Sequence, residues 1–372
     1  MNILYLTNHL NTGGVTSYLL TLAGGMRKRG HQVYLASGGG ELLSKFSQEG
    51  IVHIPVPLAT KQEVSPGVFI SILKLLKQVK EKNIEIIHAN TRVTQVVAGL
   101  IHRFSGKPYI STCHGFFKQR IFRRIFPCWG LKVIAISEAV KEHLIEDFKV
   151  KEENISLIHN GIDVDKFRVQ SSCLSGRQAE FRVEKKKELG LGNGPVVGII
   201  ARLSDVKGHI YLIEAMKEVL GTFPDARLLI VGDGKMKQDL VALARRLGIT
   251  QNVYFIPSVK EARDILAVMD LFVMPSLAEG LGLSLIEAMA AGLAVIGSDI
   301  GGIRSLIKDG YNGLLVKPAE PTELSSAILG LLRDKTRPSL LGAHAQEFIR
   351  QHFSQEDMLG ETEKLYLEYR HV

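Results

Sequence analysis

The chain alternates short apolar runs with longer segments whose apolar residues recur every three or four positions. Residues 3–6, 33–36, 84–88, 109–112, 133–136 and 156–158 read as strands in the first half. Residues 196–200, 227–231, 253–256, 271–274, 294–296 and 314–316 read as strands in the second. Several are almost wholly apolar, as parallel strands covered on both faces are. The stretches between them, such as 17–29 and 210–220, carry helical spacing. Strand and helix in alternation specify an α/β chain, and two rounds of alternation specify two doubly wound, Rossmann-like domains. A small, polar stretch at 170–176 and a charged run at 184–188 separate the rounds. The expected organisation is an N-terminal domain over 1–168, a linker over 169–194 and a second domain over 195–350. A C-terminal helix over 351–372 is expected to return to the first domain, with Phe353, Leu359, Leu365 and Tyr369 as apolar anchors.

Composition narrows the class. At 372 residues, 45% hydrophobic and 23% charged, the chain is neither disordered nor collagen-like nor a multispan membrane protein. Cys113, Cys128 and Cys173 are too scattered for a disulfide framework, and none belongs to a CxxC pair, so a reducing compartment fits and zinc does not. The first charged side chain is Arg27, and Asn8, His9, Asn11 and Gly13 interrupt the early apolar residues, which argues against export. No uncharged stretch reaches the roughly 18 apolar residues of a spanning helix. A cytoplasmic protein is expected. The net charge of +8 is unevenly spread: residues 1–175 hold 22 Lys/Arg against 13 Asp/Glu, and residues 176–372 hold 24 against 25. The basic first half points to an anionic partner: membrane surface, anionic glycolipid or nucleic acid.

Open α/β sheets bind ligands beyond the carboxyl ends of their strands, so the loops after the strands carry the candidate chemistry. In the second half, Arg202 and Lys207 follow one apolar run and Gly208 opens the next helix. Two cations over a helix start suit a diphosphate, and a solvated loop with a helix cap explains them equally well. Gly232 ends another strand, where close backbone approach to a ligand and a plain turn are both open. In the segment 275–288, a helix begins near Gly282 and Leu283, and its free amides can bind phosphate oxygens. Glu279 precedes that helix and Glu287 lies about one turn inside it, amid apolar neighbours, where a carboxylate needs a partner.

In the first half, Gly13-Gly14 follows the first strand but lacks the third glycine of a dinucleotide fingerprint, so a nicotinamide site is not expected. His114 ends a strand in Thr112-Cys113-His114-Gly115, where a site histidine and a structural one are both open. His88 also ends a strand and is a candidate on the acceptor side. Residues 116–127 combine Lys118, Arg120, Arg123 and Arg124 with Phe116, Phe117, Ile121, Phe122, Ile125 and Phe126. Such a segment docks on anionic lipid, or packs one apolar stripe and leaves a solvated basic face. No nucleic-acid motif accompanies it.

Glu279 and Glu287, seven residues apart, resemble the E-x7-E motif of the retaining glycosyltransferases of family 4 (glycosyl transferases group 1), which have the GT-B fold. Arg202, Lys207 and Gly208 resemble that family's R-x4-K-G clamp, and Asn160-Gly161-Ile162-Asp163 its N-G-[VI]-D turn. Thr112-Cys113-His114-Gly115 resembles its T-x-H-G signature, and Gly301-Gly302 its later glycine pair. The resemblance covers most of the chain. It implies two Rossmann-like domains facing a central cleft and transfer of a sugar from a nucleotide-sugar to an acceptor hydroxyl with retention. It further implies Arg202 and Lys207 on the diphosphate and Glu287 on the ribose. Glu279 and His114 would act at the donor sugar, with Gly13, Gly14, Gly232, Gly282 and Leu283 lining the donor. The literal D-x-D at Asp163 and Asp165 lies in the N-G-[VI]-D turn and is read as structural, and no metal or cofactor is expected. The family's base loop usually has glycine where this chain has Pro257.

With the basic first half, the resemblance suggests a glycan or lipid-linked acceptor in cell-surface polysaccharide or lipopolysaccharide synthesis, with the protein peripheral at the inner face of a bacterial membrane. Two rivals stay open: a GT-B sugar-nucleotide epimerase and a nucleotide-sugar-binding protein without transferase activity.

Overall fold

The computed structural model describes residues 1–60, 62–119, 121–167, 176–259 and 261–370. The chain divides into two compact units: Met1–Gly161 with Gln355–Val372, and Ile162–Ser354.

The first unit is built on seven strands: β1 (Asn2–Leu6), β2 (Gln32–Ser37), β3 (Val52–Pro55), β4 (Ile86–Ala89), β5 (Tyr109–Cys113), β6 (Val133–Ala135) and β7 (Ile155–Leu157). They form one sheet in the order β3-β2-β1-β4-β5-β6-β7, and every pairing is parallel. Side chains alternate between the faces of a strand, so β1 feeds two cores at once. Ile3 and Tyr5 join Leu19, Leu22, Met26 and Phe46 on one face, while Leu4 and Leu6 join Leu75, Val97 and Ile101 on the other. The helix Gln355–Tyr369 packs Met358, Leu359, Leu365 and Tyr366 into the first of these cores.

The second unit holds β8 (Val196–Ile200), β9 (Arg227–Val231), β10 (Val253–Ile256), β11 (Leu271–Met274), β12 (Ala294–Ser298) and β13 (Leu314–Val316). Their order is β10-β9-β8-β11-β12-β13, again all parallel. Its core joins Val197, Ile199, Leu228, Ile230, Val273 and Ile296 to Leu212, Met216, Leu324 and Ile328 from the helices His209–Thr222 and Pro321–Arg333.

Twelve strands lie where the apolar runs place them. The thirteenth, β3, escapes that criterion because it is a half-exposed edge strand of sequence Val-His-Ile-Pro. The unit boundary differs from the expected one. The chain passes from one unit to the other at Gly161–Ile162, ahead of residue 168, and back at Ser354–Gln355. Much of the expected linker is also ordered into the second unit. The helix Gly176–Glu188 is tied there by Arg182, which donates to the carbonyls of Ala267 (3.1 Å) and Met269 (3.2 Å) and pairs with Asp270 (2.7 Å). Residues 168–175, Cys173 among them, lie outside the described residues, as does Arg120.

In each sheet the strand order reverses once, between β1 and β4 and between β8 and β11. At such a switch point the loops leaving the two carboxyl ends diverge and open a crevice. Gly13 follows β1, and Asn90 follows β4. Arg202 and Lys207 follow β8, and Glu279 follows β11. Gly13-Gly14, the loop from Arg202 to Gly208 and the loop carrying Glu279 thus fall at the one place in each sheet where a ligand crevice is built in, while His114 and Gly301-Gly302 follow β5 and β12, each one strand over.

Candidate functional site

In the second unit, the loop after β8 turns back on the loop after β11. Gly208 has φ +70, and a Cβ there would lie 1.8 Å from the Pro275 carbonyl oxygen, so only glycine permits this approach. The Leu277 amide donates to the Val206 carbonyl at 2.8 Å and fastens the same contact. The result brings Lys207 onto the Glu279 carboxylate as a largely buried ion pair. Glu279 is also gripped through its backbone. The Gly302 amide donates to its carbonyl at 3.1 Å, and a side chain at 302 would strike the Gly280 carbonyl at 2.3 Å. Gly302 of the Gly301-Gly302 pair therefore positions Glu279.

The helix Leu283–Ala290 begins on Gly282, whose φ of +88 points the chain into the first turn without a side-chain cap. The Leu285 amide donates to the Gly282 carbonyl at 3.0 Å, which leaves the preceding amides of Leu283 and Ser284 to bind an anion. One turn on, Glu287 is partly buried. Desolvation pushes its carboxyl up to about 7, against the pull of Lys166, and Glu261 adds to the rise. Lys166 itself pairs with Glu261 at 3.0 Å. Arg202, on the same loop as Lys207, is exposed. Ser204 Oγ, Ser276 Oγ and both ring nitrogens of His209, the first residue of the helix after Lys207, are buried without a partner among the described residues. Burial, then the Lys207 charge, keeps His209 neutral with a pKa lowered to about 4. Lys207 paired with Glu279, two helix starts and orphaned polar atoms at one switch point, with Glu287 one turn into the second helix, make a polar site suited to a phosphorylated, hydroxyl-rich ligand.

Gly232 is required by loop packing. A Cβ there would lie 2.1 Å from the Ala201 carbonyl, so this glycine serves the packing of one loop against another. The neighbouring Asp233 accepts from the Ser258 amide at 2.8 Å, which fixes the loop after β10 where Pro257 sits. Asp163 accepts from the Lys166 amide at 3.3 Å and caps a short helical turn, Val164–Phe167.

In the first unit, Gly13 is exposed in extended backbone at the start of the helix Gly14–Lys28, with nothing within 4 Å of an added Cβ. His114 is half-buried after β5. Its Nε2 meets Asn90 Oδ1 at 3.2 Å, and its ring packs edge-on against Tyr18 with centroids 4.8 Å apart. Burial lowers its pKa to about 3, so the ring is neutral.

The acceptor-side expectation for His88 is overturned. His88 is fully buried, and both ring nitrogens are engaged: Nδ1 with the Tyr366 hydroxyl (2.6 Å) and Nε2 with Thr112 Oγ1 (2.7 Å). Tyr366 donates onward to the Tyr5 hydroxyl at 3.0 Å, and Tyr18 meets Thr112 Oγ1 at 3.3 Å. This network ties the C-terminal helix to β1, β4 and β5. Sequence reading missed Tyr366, since a tyrosine at helical spacing looks like core.

In the basic segment Lys118 and Arg124 are exposed, but the apolar stripe is not the buried face. Arg123 is buried, its guanidinium 3.8 Å from the Phe117 ring centroid and 5.7 Å from those of Trp129 and Phe148. Phe116, Ile121, Phe122, Ile125 and Phe126 are exposed.

Two family models match the chain, Glycosyl transferases group 1 over residues 181–348 and Glycosyltransferase Family 4 over residues 12–166. The UDP-Gal:alpha-D-GlcNAc-diphosphoundecaprenol alpha-1,3-galactosyltransferase of Escherichia coli is 28% identical over 71% of this chain and 70% of its own length. A capsular polysaccharide biosynthesis glycosyltransferase of Staphylococcus aureus is 24% identical over 92% of this chain and 91% of its own. Among solved structures, HepE of Anabaena in complex with UDP and glucose superposes with a TM-score of 0.86 at 25% identity, covering 98% of this chain and 99% of that one.

Proposed function

The chain belongs to the group 1 glycosyltransferases of GT-B fold, and on that premise we propose that it transfers a sugar from a UDP-sugar to a glycan or lipid-linked acceptor with retention at the anomeric carbon. The observation that carries this reading is the Lys207–Glu279 pair at the switch point of the second unit, with Glu287 one turn into the helix that follows. The choice of UDP rests on likeness to HepE and to the E. coli galactosyltransferase.

Departure of the nucleoside diphosphate builds charge on phosphate oxygens. Lys207, Arg202 and the amides at Gly282 and Leu283 stabilise that charge, a task for which no metal is required. Glu287 accepts from the ribose hydroxyls. Glu279, freed from Lys207, faces the donor sugar as it gains oxocarbenium character, and His114 holds a sugar hydroxyl. Gly13 and Gly14 leave room for the donor. The reading supplies no side-chain nucleophile, in keeping with front-face attack by the acceptor hydroxyl.

The acceptor end is read from the first unit. Besides the exposed apolar side chains of 116–126, the first unit exposes a second set, Val64, Phe69, Ile70 and Leu73, the last three on the helix Pro66–Glu81. Arg92 joins the two sets: it pairs with Glu63 at 2.9 Å and donates to the carbonyls of Phe126 and Pro127, each at 2.7 Å. Lys74, Lys77 and Arg124 flank this face in sequence. An apolar face with a cationic surround fits the surface of an anionic membrane, where a lipid-linked acceptor resides. Among the described residues no helix is long and apolar enough to cross one. The reading places the chain in cell-surface polysaccharide or lipopolysaccharide synthesis.

Thermal-shift titration with UDP, GDP, ADP and CDP, then incubation with the matching nucleotide-sugars, tests the proposal. UDP is expected to stabilise the protein most, and donor alone to yield UDP and free sugar slowly. An epimerised nucleotide-sugar would replace transfer by epimerisation, and proton NMR of the glycosylated product reads the anomeric outcome.

A further inference from the structure

His114 needs a defined tautomer to act on a substrate, because a neutral imidazole donates from one nitrogen and accepts at the other. Asn90 settles which. Its amide nitrogen faces two backbone carbonyls, Leu6 at 3.4 Å and His88 at 3.3 Å. Turning the amide over would set its oxygen against both carbonyl oxygens, so Oδ1 is the atom held toward His114. Asn90 is itself fixed. It is buried, its own amide donates to the Leu6 carbonyl at 3.1 Å, and the next residue, Thr91, caps the helix Arg92–Ser105 through a reciprocal contact with Thr94. An acceptor oxygen 3.2 Å from His114 Nε2 requires the proton on Nε2. Nδ1 then keeps its lone pair, and no described residue occupies it.

We propose that Asn90 is a positioning residue that locks His114 in the Nε2–H tautomer, so that Nδ1 accepts a hydrogen bond from a substrate hydroxyl. The proposal rests on the reading that His114 holds the donor sugar, and it adds the direction of that bond: the sugar donates, the histidine accepts. The buried network reinforces the lock. Thr112 sits one residue before Cys113 on the strand that presents His114, and its hydroxyl is held between His88 and Tyr18. Tyr18 in turn packs on the His114 ring. Loss of Nδ1 as an acceptor is expected to lower kcat on the order of tenfold, the effect of one hydrogen bond in the transition state.

Long-range proton–nitrogen NMR of the full chain labelled at histidine tests the lock directly. The His114 signal is assigned by its disappearance in His114→Ala. The expected result is an Nε2–H pattern in the native protein and a mixture of tautomers in Asn90→Ala. An Nδ1–H pattern in the native protein overturns the lock without any variant having to fold. Kinetics supply the second arm. Asn90→Ala is expected to lower kcat with little change in KM, and to have no further effect once His114 is already alanine. Equal losses in both backgrounds overturn action through His114. Full activity of His114→Ala overturns the histidine's role in transfer, an outcome separate from the NMR result.

Discussion

At the scale of single residues, the ion pair between Lys207 and Glu279 has a consequence of definite sign. On the proposed function, each partner neutralises the other until the donor diphosphate competes for Lys207. Lys207→Ala removes a charge-assisted contact and should weaken UDP binding roughly 10- to 100-fold by calorimetry. Glu279→Ala releases Lys207 from its competitor, so UDP affinity should hold or rise while transfer falls on the order of 100-fold. Parallel loss of both properties in Glu279→Ala would remove the competition from the account. Glu287 adds a pH dependence. Its folded pKa is raised to about 7 from 4.5, so its neutral form is the one folding favours. That contribution to stability is complete below 4.5 and is lost as pH rises through 7. Ribose hydroxyls donate best to the ionised form, so UDP affinity should rise with pH through about 7 and binding below that should release a proton. Glu287→Gln should flatten the profile, which calorimetry in buffers of different ionisation enthalpy reads directly.

At the scale of elements, the parallel sheets were legible because strands buried on both faces leave uninterrupted apolar runs, and β8–β11 begin and end where those runs do. What escaped has physical reasons. The edge strand β3 carries histidine and proline in place of an apolar run. His88 lies inside the end of β4 and His114 just past the end of β5, and nothing in either local sequence tells a histidine sealed by Tyr366 from one left half-open. The partner that distinguishes them lies 278 residues away. Asn90 was hidden for the same reason, since its role depends on carbonyls at Leu6 and His88 brought together by β1–β4 pairing. The C-terminal helix thus does more than cover apolar surface. Tyr366→Phe leaves its ring in the core but strips a hydroxyl from buried His88 and Tyr5. It should cost about 1–3 kcal/mol in denaturant unfolding, whereas an exposed tyrosine would cost almost nothing.

At the scale of the whole molecule, charge and apolar exposure point the same way. The first 175 residues carry nine more cations than carboxylates, and the rest carry one fewer. In the same region one cation, Arg123, lies in an aromatic cage while Ile121 is 78% exposed and Ile125 64%. Leaving such side chains in water forgoes roughly 1.5–3 kcal/mol each, and a bilayer interface recovers part of it. The caged arginine holds the short helix Ile121–Ile125 with its apolar side outward. Two forces then act together on a membrane. Surface cations near anionic headgroups contribute about 1 kcal/mol each and are screened by salt, whereas the apolar contact is not. Vesicles containing anionic phospholipid should therefore float the full chain, and zwitterionic vesicles should do so weakly. High salt should weaken flotation without abolishing it. Replacing Ile121 and Ile125 together by aspartate should reduce flotation about tenfold or more while UDP binding, which the proposed function assigns to the second unit, stays unchanged. Flotation that ignores both lipid charge and this double substitution would leave the exposed face without a membrane to explain it.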